Sequence, residues 1–102
     1  MSRYALPLQG YENASISGYD SQDMSYFAQL WRNESDSWND PDIWINWFTL
    51  QKPIDARALA ELISAPTGHS ASEVLRAMAA AKDAPESAIL LEMAEFLATP
   101  TT

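Results

Sequence analysis

The chain has 102 residues, a formal net charge of −8 and no cysteine. This length favours a single domain over residues 1–102, and the missing cysteines exclude disulfides, thiolate metal sites and cysteine nucleophiles. Because 14 acidic residues stand against 6 basic ones, the surface is expected to repel nucleic acid and to favour a basic partner.

The N-terminal half, residues 1–52, is aromatic and acidic and holds ten of the eleven aromatic residues. Its first twenty residues contain two glycines, one proline and scattered tyrosines. Residues 4–8 and 14–17 are predicted to form short strands, with turns near Gly10 and Gly18.

Helical spacing marks the next segment, residues 21–32. Apolar side chains recur there at positions i, i+3, i+6 and i+7, which are Met24, Phe27, Leu30 and Trp31. Ser21 is a suitable N-cap, and Asp23 suits the first turn of a helix. The pattern therefore predicts an N-terminal helix.

A loop and a strand are predicted to follow. Residues 33–42 are turn formers almost throughout, which indicates a loop. Residues 43–50 are rich in β-branched and aromatic side chains, which favours a strand. Both faces of that strand are largely apolar, so it needs cover from the helices on one side and from a partner on the other.

The C-terminal half, residues 53–98, is rich in residues that favour helix. Three helices are predicted, over residues 55–64, 70–81 and 85–98, and residues 99–102 are predicted to fray. The first helix has Asp55 as its N-cap. The second begins with a capping box, in which Ser70 and Glu73 each bond the other's backbone amide.

Together these elements predict an α+β fold that is mostly helical. An N-terminal helix with two or three short strands is expected to pack against a C-terminal unit of three helices. Trp31, with Trp44 or Trp47, is expected to supply part of the core.

All four tryptophans lie within residues 31–47, together with four carboxylates. Tryptophan faces attract cations, and tryptophan is enriched at the centres of protein interfaces. The predicted partner-binding residues are Glu34, Asp36, Trp38, Asp40, Asp42 and Trp44. The alternative is that the tryptophans fill the core while the carboxylates hydrate a loop.

Two further interpretations of the acidic residues remain open. Carboxylates spaced like phosphates would mimic nucleic acid and occupy the basic groove of a DNA- or RNA-binding protein. A calcium loop is less favoured, because Trp38 and Trp44 stand where the known calcium-loop pattern requires oxygen ligands.

Catalytic and DNA-reading motifs are missing from the sequence. The only histidine, His69, lies in a turn and is expected to be solvated. There is no Gly-rich phosphate loop, no H-E-x-x-H and no G-x-S-x-G. The helix that begins at Ser70 offers only Arg76 as a basic side chain, so it is not expected to read DNA. We therefore expect a protein that is not an enzyme and needs no cofactor or metal.

The distribution of apolar residues along the chain indicates where the protein is located and whether it forms oligomers. No apolar run approaches the ~20 residues of a membrane span, and no signal-peptide core is present, so we expect a cytoplasmic protein. The last helix carries more apolar surface than one face requires, which suits either a central helix or a homodimer seam. The candidate interface residues are Leu90, Leu91, Met93, Phe96 and Leu97.

The expected function is that of a small acidic domain that binds a basic surface of another protein and inhibits it. The alternative is a structural or assembly subunit that homodimerises through its last helix.

Overall fold

The computed structural model describes residues 3–35, 39–80 and 87–98. Its N-terminal part is an antiparallel sheet whose strands lie side by side in chain order. The four strands are β1 (Tyr4–Ala5), β2 (Ile16–Asp20), β3 (Ser25–Leu30) and β4 (Ile43–Ile45). Sequential antiparallel strands need only short connections, so this meander suits a short chain.

The hairpin between β2 and β3 is the longest paired part of the sheet, with five residue pairs from Ile16↔Gln29 to Asp20↔Ser25. Residues 21–24 form its turn. The Gln22 amide donates to Asp20 Oδ1 at 3.0 Å, the side-chain bond by which aspartate stabilises a turn. Met24 closes the turn with a φ of 51°.

This hairpin overturns the predicted fold class. Residues 21–32 form a turn and a strand in place of a helix, so an N-terminal sheet precedes the C-terminal helices. Gly18 lies within β2 opposite Phe27 and does not form a turn. The apolar spacing in residues 21–32 predicted a helix wrongly because β3 buries side chains on both faces, Phe27 on one and Ala28 on the other. A strand buried on both faces shows no alternation to separate it from a helix.

The predicted strand over residues 43–50 is also shorter than expected. It ends at Ile45, and Trp47–Leu50 form a single helical turn, α1. The chain then returns to β3, where the Tyr26 amide donates to Ile54 O at 2.8 Å and the Ile54 amide donates to Ser25 Oγ at 2.8 Å. Ile54 therefore occupies the place beside β3 that a longer β4 would have taken.

Three longer helices follow, α2 (Ala56–Thr67), α3 (Ala71–Ala79) and α4 (Ser87–Ala98). The predicted caps are confirmed: Asp55 Oδ1 accepts the Ala58 amide at 2.8 Å, and Ser70 and Glu73 form the capping box. Gly68 ends α2 with a φ of 80°, a left-handed conformation that glycine adopts without steric cost. No described helix has both the length and the apolarity that crossing a membrane requires.

The core lies between one face of the sheet and the helices. Its fully buried side chains are mainly aliphatic and include Leu6, Leu30, Leu59, Ile63, Val74 and Leu75. Trp31 and Trp47 are only half-buried, Trp44 is exposed, and none of the three belongs to this cluster. The expectation that tryptophans form the core is wrong for these three residues.

Candidate binding site

The second face of the sheet carries an aromatic and acidic surface. Side chains two residues apart on a strand share a face, so Phe27 and Gln29 of β3 lie together. The pairing places Trp44 opposite Gln29 and Asp20 opposite Ser25 on that same face. We call this surface, with the adjoining Asp23, Trp47 and Phe48, the aromatic face. A cavity of about 230 Å³ opens on it.

The aromatic rings of this face differ in depth. Phe27 is 9% exposed and forms the floor, whereas Trp44 is 57% and Phe48 is 68% exposed. Trp47 and Phe48 meet edge to face, with ring centroids 5.0 Å apart and planes at 89°. Large aromatic side chains left in water beside a cavity are typical of a surface that a ligand covers.

Opposite charges flank the rings. Asp20 and Asp23 line the cavity, and Arg3 is the one cationic side chain among the described residues that line it. Asp20 Oδ1 accepts a bond from the Gln22 amide, which restrains this carboxylate where it lines the cavity. Two carboxylates against one cation make the cavity favourable for a positively charged group.

Of the predicted partner-binding residues that the structure describes, Trp44 alone lines this cavity. Glu34, Asp40 and Asp42 are exposed; they lie in the loop that precedes β4. Asp42 Oδ2 accepts the Arg32 amide at 2.8 Å, so this carboxylate also holds the loop. The predicted residues Asp36 and Trp38 lie outside the described residues.

The start of the same loop is tied to the connection between β1 and β2. The Asn33 amide donates to Gly10 O at 2.9 Å, and Asn33 Nδ2 donates to Glu12 Oε1. The bond from Asn33 Nδ2, and then a bond that the Gly10 amide donates to the same carboxylate, lower the pKa of Glu12. Nearby, a side-chain bond with Tyr11 raises the pKa of Arg32, and the charge of Asp42 raises it further. This end of the loop is therefore occupied by contacts within the chain.

Five residues of the aromatic face are not among those predicted to bind a partner: Asp20, Asp23, Phe27, Trp47 and Phe48. Asp20 and Asp23 come together with the rings only because residues 21–24 turn. A local signal for that turn exists: Asp20 to Asp23 are four consecutive polar residues between Tyr19 and the β-favouring pair Tyr26 and Phe27. A short polar segment between two β-favouring segments indicates a hairpin.

His69 has a defined place, contrary to the expectation that it is solvated. Its Nε2 lies 2.9 Å from Gln9 O and its Nδ1 lies 3.0 Å from Glu73 Oε2. A carbonyl and a carboxylate both accept, so the doubly protonated ring satisfies both contacts. The bond with Glu73, then that with Gln9, raises the pKa of His69 above 6.5. The histidine thus links α3 to the connection between β1 and β2.

The His69 contacts predict a stability that depends on pH. Because the folded pKa lies above 6.5, the contribution is complete below that value and is lost as the pH rises through the folded pKa. The pKa of Glu73 is lowered below 4.5 by His69, so its contribution is lost as the pH falls through that folded pKa. His69→Ala is expected to lower the free energy of unfolding by roughly 1 kcal/mol near pH 6, with a smaller loss near pH 9.

Proton NMR measures this directly, because His69 is the chain's only histidine. Glu73→Gln, which keeps an acceptor for the capping box, should return the pKa of His69 toward 6.5. An unchanged pKa in that variant would contradict the assigned contact.

The candidate interface residues on α4 differ in how deeply they are buried. Leu90 is 4% exposed and packs in the core, while Met93 and Leu97 are half-buried. Leu91 is 42% and Phe96 is 75% exposed. The outer side of α4 therefore exposes apolar side chains beside the exposed carboxylates of Glu92 and Glu95, and Leu90 is not part of it.

Among the described residues, no three His, Asp or Glu side chains converge in a way that could hold a metal ion. Comparison with protein families, characterised proteins and solved structures gives no match to this chain.

Proposed function

We propose that the protein is a non-enzymatic domain that binds a basic surface of another protein through its aromatic face. The observation that carries this proposal is a cavity bordered by the exposed ring of Trp44 and by the carboxylates of Asp20 and Asp23. Cations bind aromatic faces by electrostatic attraction to the ring and pair with carboxylates. The net charge of −8 draws a basic partner from a distance and speeds the encounter.

The loop before β4 is proposed to take part in the same binding. Glu34 and Asp40 are exposed there, and together with Asp36 and Trp38 they are proposed to contact the outer part of the partner. A partner whose basic surface binds nucleic acid would be inhibited, because the domain would occupy that surface.

A labelled nona-arginine peptide tests the proposal by fluorescence polarisation. We expect binding that weakens about tenfold or more as salt shortens the Debye length from about 10 Å to about 3 Å. Asp23→Lys should weaken binding further, since it reverses a charge at the cavity. Glu92→Lys makes the same change on α4 and is expected to have a smaller effect. Binding that ignores salt, or that both variants weaken equally, would refute this location of the site.

A second candidate is a homodimer that covers the outer side of α4. It is favoured by the exposed side chains of Ile89 and Phe96, which a second copy would remove from water. Unfolding of Leu90→Ala and Leu91→Ala at several protein concentrations tests it.

A further inference from the structure

We propose that the cavity on the aromatic face is a pocket for a single arginine side chain of the partner. The inference rests on the proposed function and adds to it the residue that anchors the partner. The guanidinium would stack on the indole of Trp44 and pair with the carboxylate of Asp20, while the apolar stem covers Phe27.

The size of the cavity suits one side chain. Its volume is about 230 Å³, below the roughly 300–1,000 Å³ of pockets that hold drug-sized molecules. Phe27 gives it an apolar floor, and Trp44 and Phe48 stand exposed beside it. Long basic side chains bury their stems along apolar surfaces of this kind and keep the charged end near polar groups.

The arrangement of the charged groups favours a planar cation. A carboxylate offers about four acceptor sites, and the Gln22 amide uses one of those on Asp20, which leaves room for a guanidinium. Guanidinium forms paired bonds to carboxylates and stacks on aromatic rings, whereas the ammonium of lysine is more strongly hydrated. A site that combines rings with carboxylates therefore prefers arginine to lysine.

The charge of Arg3 is expected to weaken binding of a cation in this cavity. Arg3 lines the cavity beside Asp20 and Asp23 and is itself exposed. Its charge repels an incoming cation, so Arg3→Ala is expected to tighten binding of an arginine peptide.

The test compares nona-arginine with nona-lysine, two peptides of equal charge, by fluorescence polarisation at one salt concentration. We expect the arginine peptide to bind about fivefold more tightly. Trp44→Leu, which keeps an apolar side chain but removes the ring, and Asp20→Asn, which keeps an acceptor for the turn, should each abolish most of that preference. Phe96→Leu removes a ring on α4 that is more exposed than Trp44, at 75% against 57%, and should leave the preference unchanged.

The outcomes separate this inference from the proposed function. Equal binding of the two peptides would overturn the arginine pocket and leave the proposed function standing. Binding of neither peptide would overturn both. A preference that persists in Trp44→Leu and in Asp20→Asn would also overturn the pocket, since the selectivity would then arise elsewhere.

A second measurement does not depend on the variants being stable. Ethylguanidinium added to the wild-type protein should shift the indole N–H signals of Trp44 and Trp47 in a two-dimensional NMR spectrum, and ethylammonium should shift them less. The signal of Trp31, which does not line the cavity, should stay in place. Equal shifts from the two compounds would contradict the arginine pocket.

Discussion

Leu90→Ala is expected to lower the free energy of unfolding by roughly 2–5 kcal/mol, the usual loss for a buried leucine replaced by alanine. Leu90 is 4% exposed and belongs to the buried cluster that joins α4 to the rest of the core. Its neighbour Leu91 is 42% exposed, so Leu91→Ala removes less buried surface and should cost at most about 1 kcal/mol. The two variants make the same chemical change at adjacent positions.

Urea denaturation followed by circular dichroism measures both losses at several protein concentrations. If the chain is a monomer in solution, neither loss should change with concentration. If a second copy covers the outer side of α4, the wild-type midpoint will rise with concentration, because association stabilises the folded chain by mass action. The cost of Leu91→Ala will then approach that of Leu90→Ala. Light scattering of the same samples would report the dimer independently.

Ser25→Ala is expected to cost roughly 1–3 kcal/mol, because it leaves a buried amide without a partner. Ser25 is 2% exposed, and its Oγ accepts the Ile54 amide at 2.8 Å. Ile54 is also buried, so water does not readily replace the lost acceptor. Ser25 also donates to Tyr26 O at 3.1 Å. The variant therefore weakens the point at which the chain leaves the sheet for the helices.

Ser72→Ala is the matched control for Ser25→Ala. Ser72 is also buried, and its Oγ donates to Ala94 O at 2.8 Å. The partner left behind is a helical carbonyl, which keeps an acceptor role within α4, and alanine is the better helix former on α3. Its loss should be smaller, at most about 1 kcal/mol. Thermal unfolding that ranks the two serines in the opposite order would contradict the assigned role of Ser25.

The contrast between the two halves of the chain explains which elements could be predicted. The caps at Asp55 and at Ser70 with Glu73 use bonds between residues three apart, and the helices that they begin were predicted from those residues. The hairpin of β2 and β3 depends on pairs such as Ile16↔Gln29, which lie far apart in sequence. Periodicity within residues 21–32 carries no information on that partner, so the local pattern was assigned to a helix.

The candidate site shows the same division. Trp44 was predicted to meet a partner because it belongs to the cluster of tryptophans and carboxylates in residues 31–47. Asp20 and Asp23 were not predicted, because their approach to the rings follows from the register of β2 against β3. Charge and residue types thus indicate a cationic partner, whereas the pairing of the strands decides where that partner binds.

The sequence alone determines the four tryptophans and the net charge of −8. It also determines the caps of the C-terminal helices, because each cap uses residues that are close together in the chain. The tertiary structure assigned the core to aliphatic side chains and left Trp44 on an exposed face. The physical reason is that caps and helical period act within one turn of the chain, while burial depends on which distant segments pack together. A sheet forms only when those segments pair, and its pairing decides which aromatic rings face the solvent.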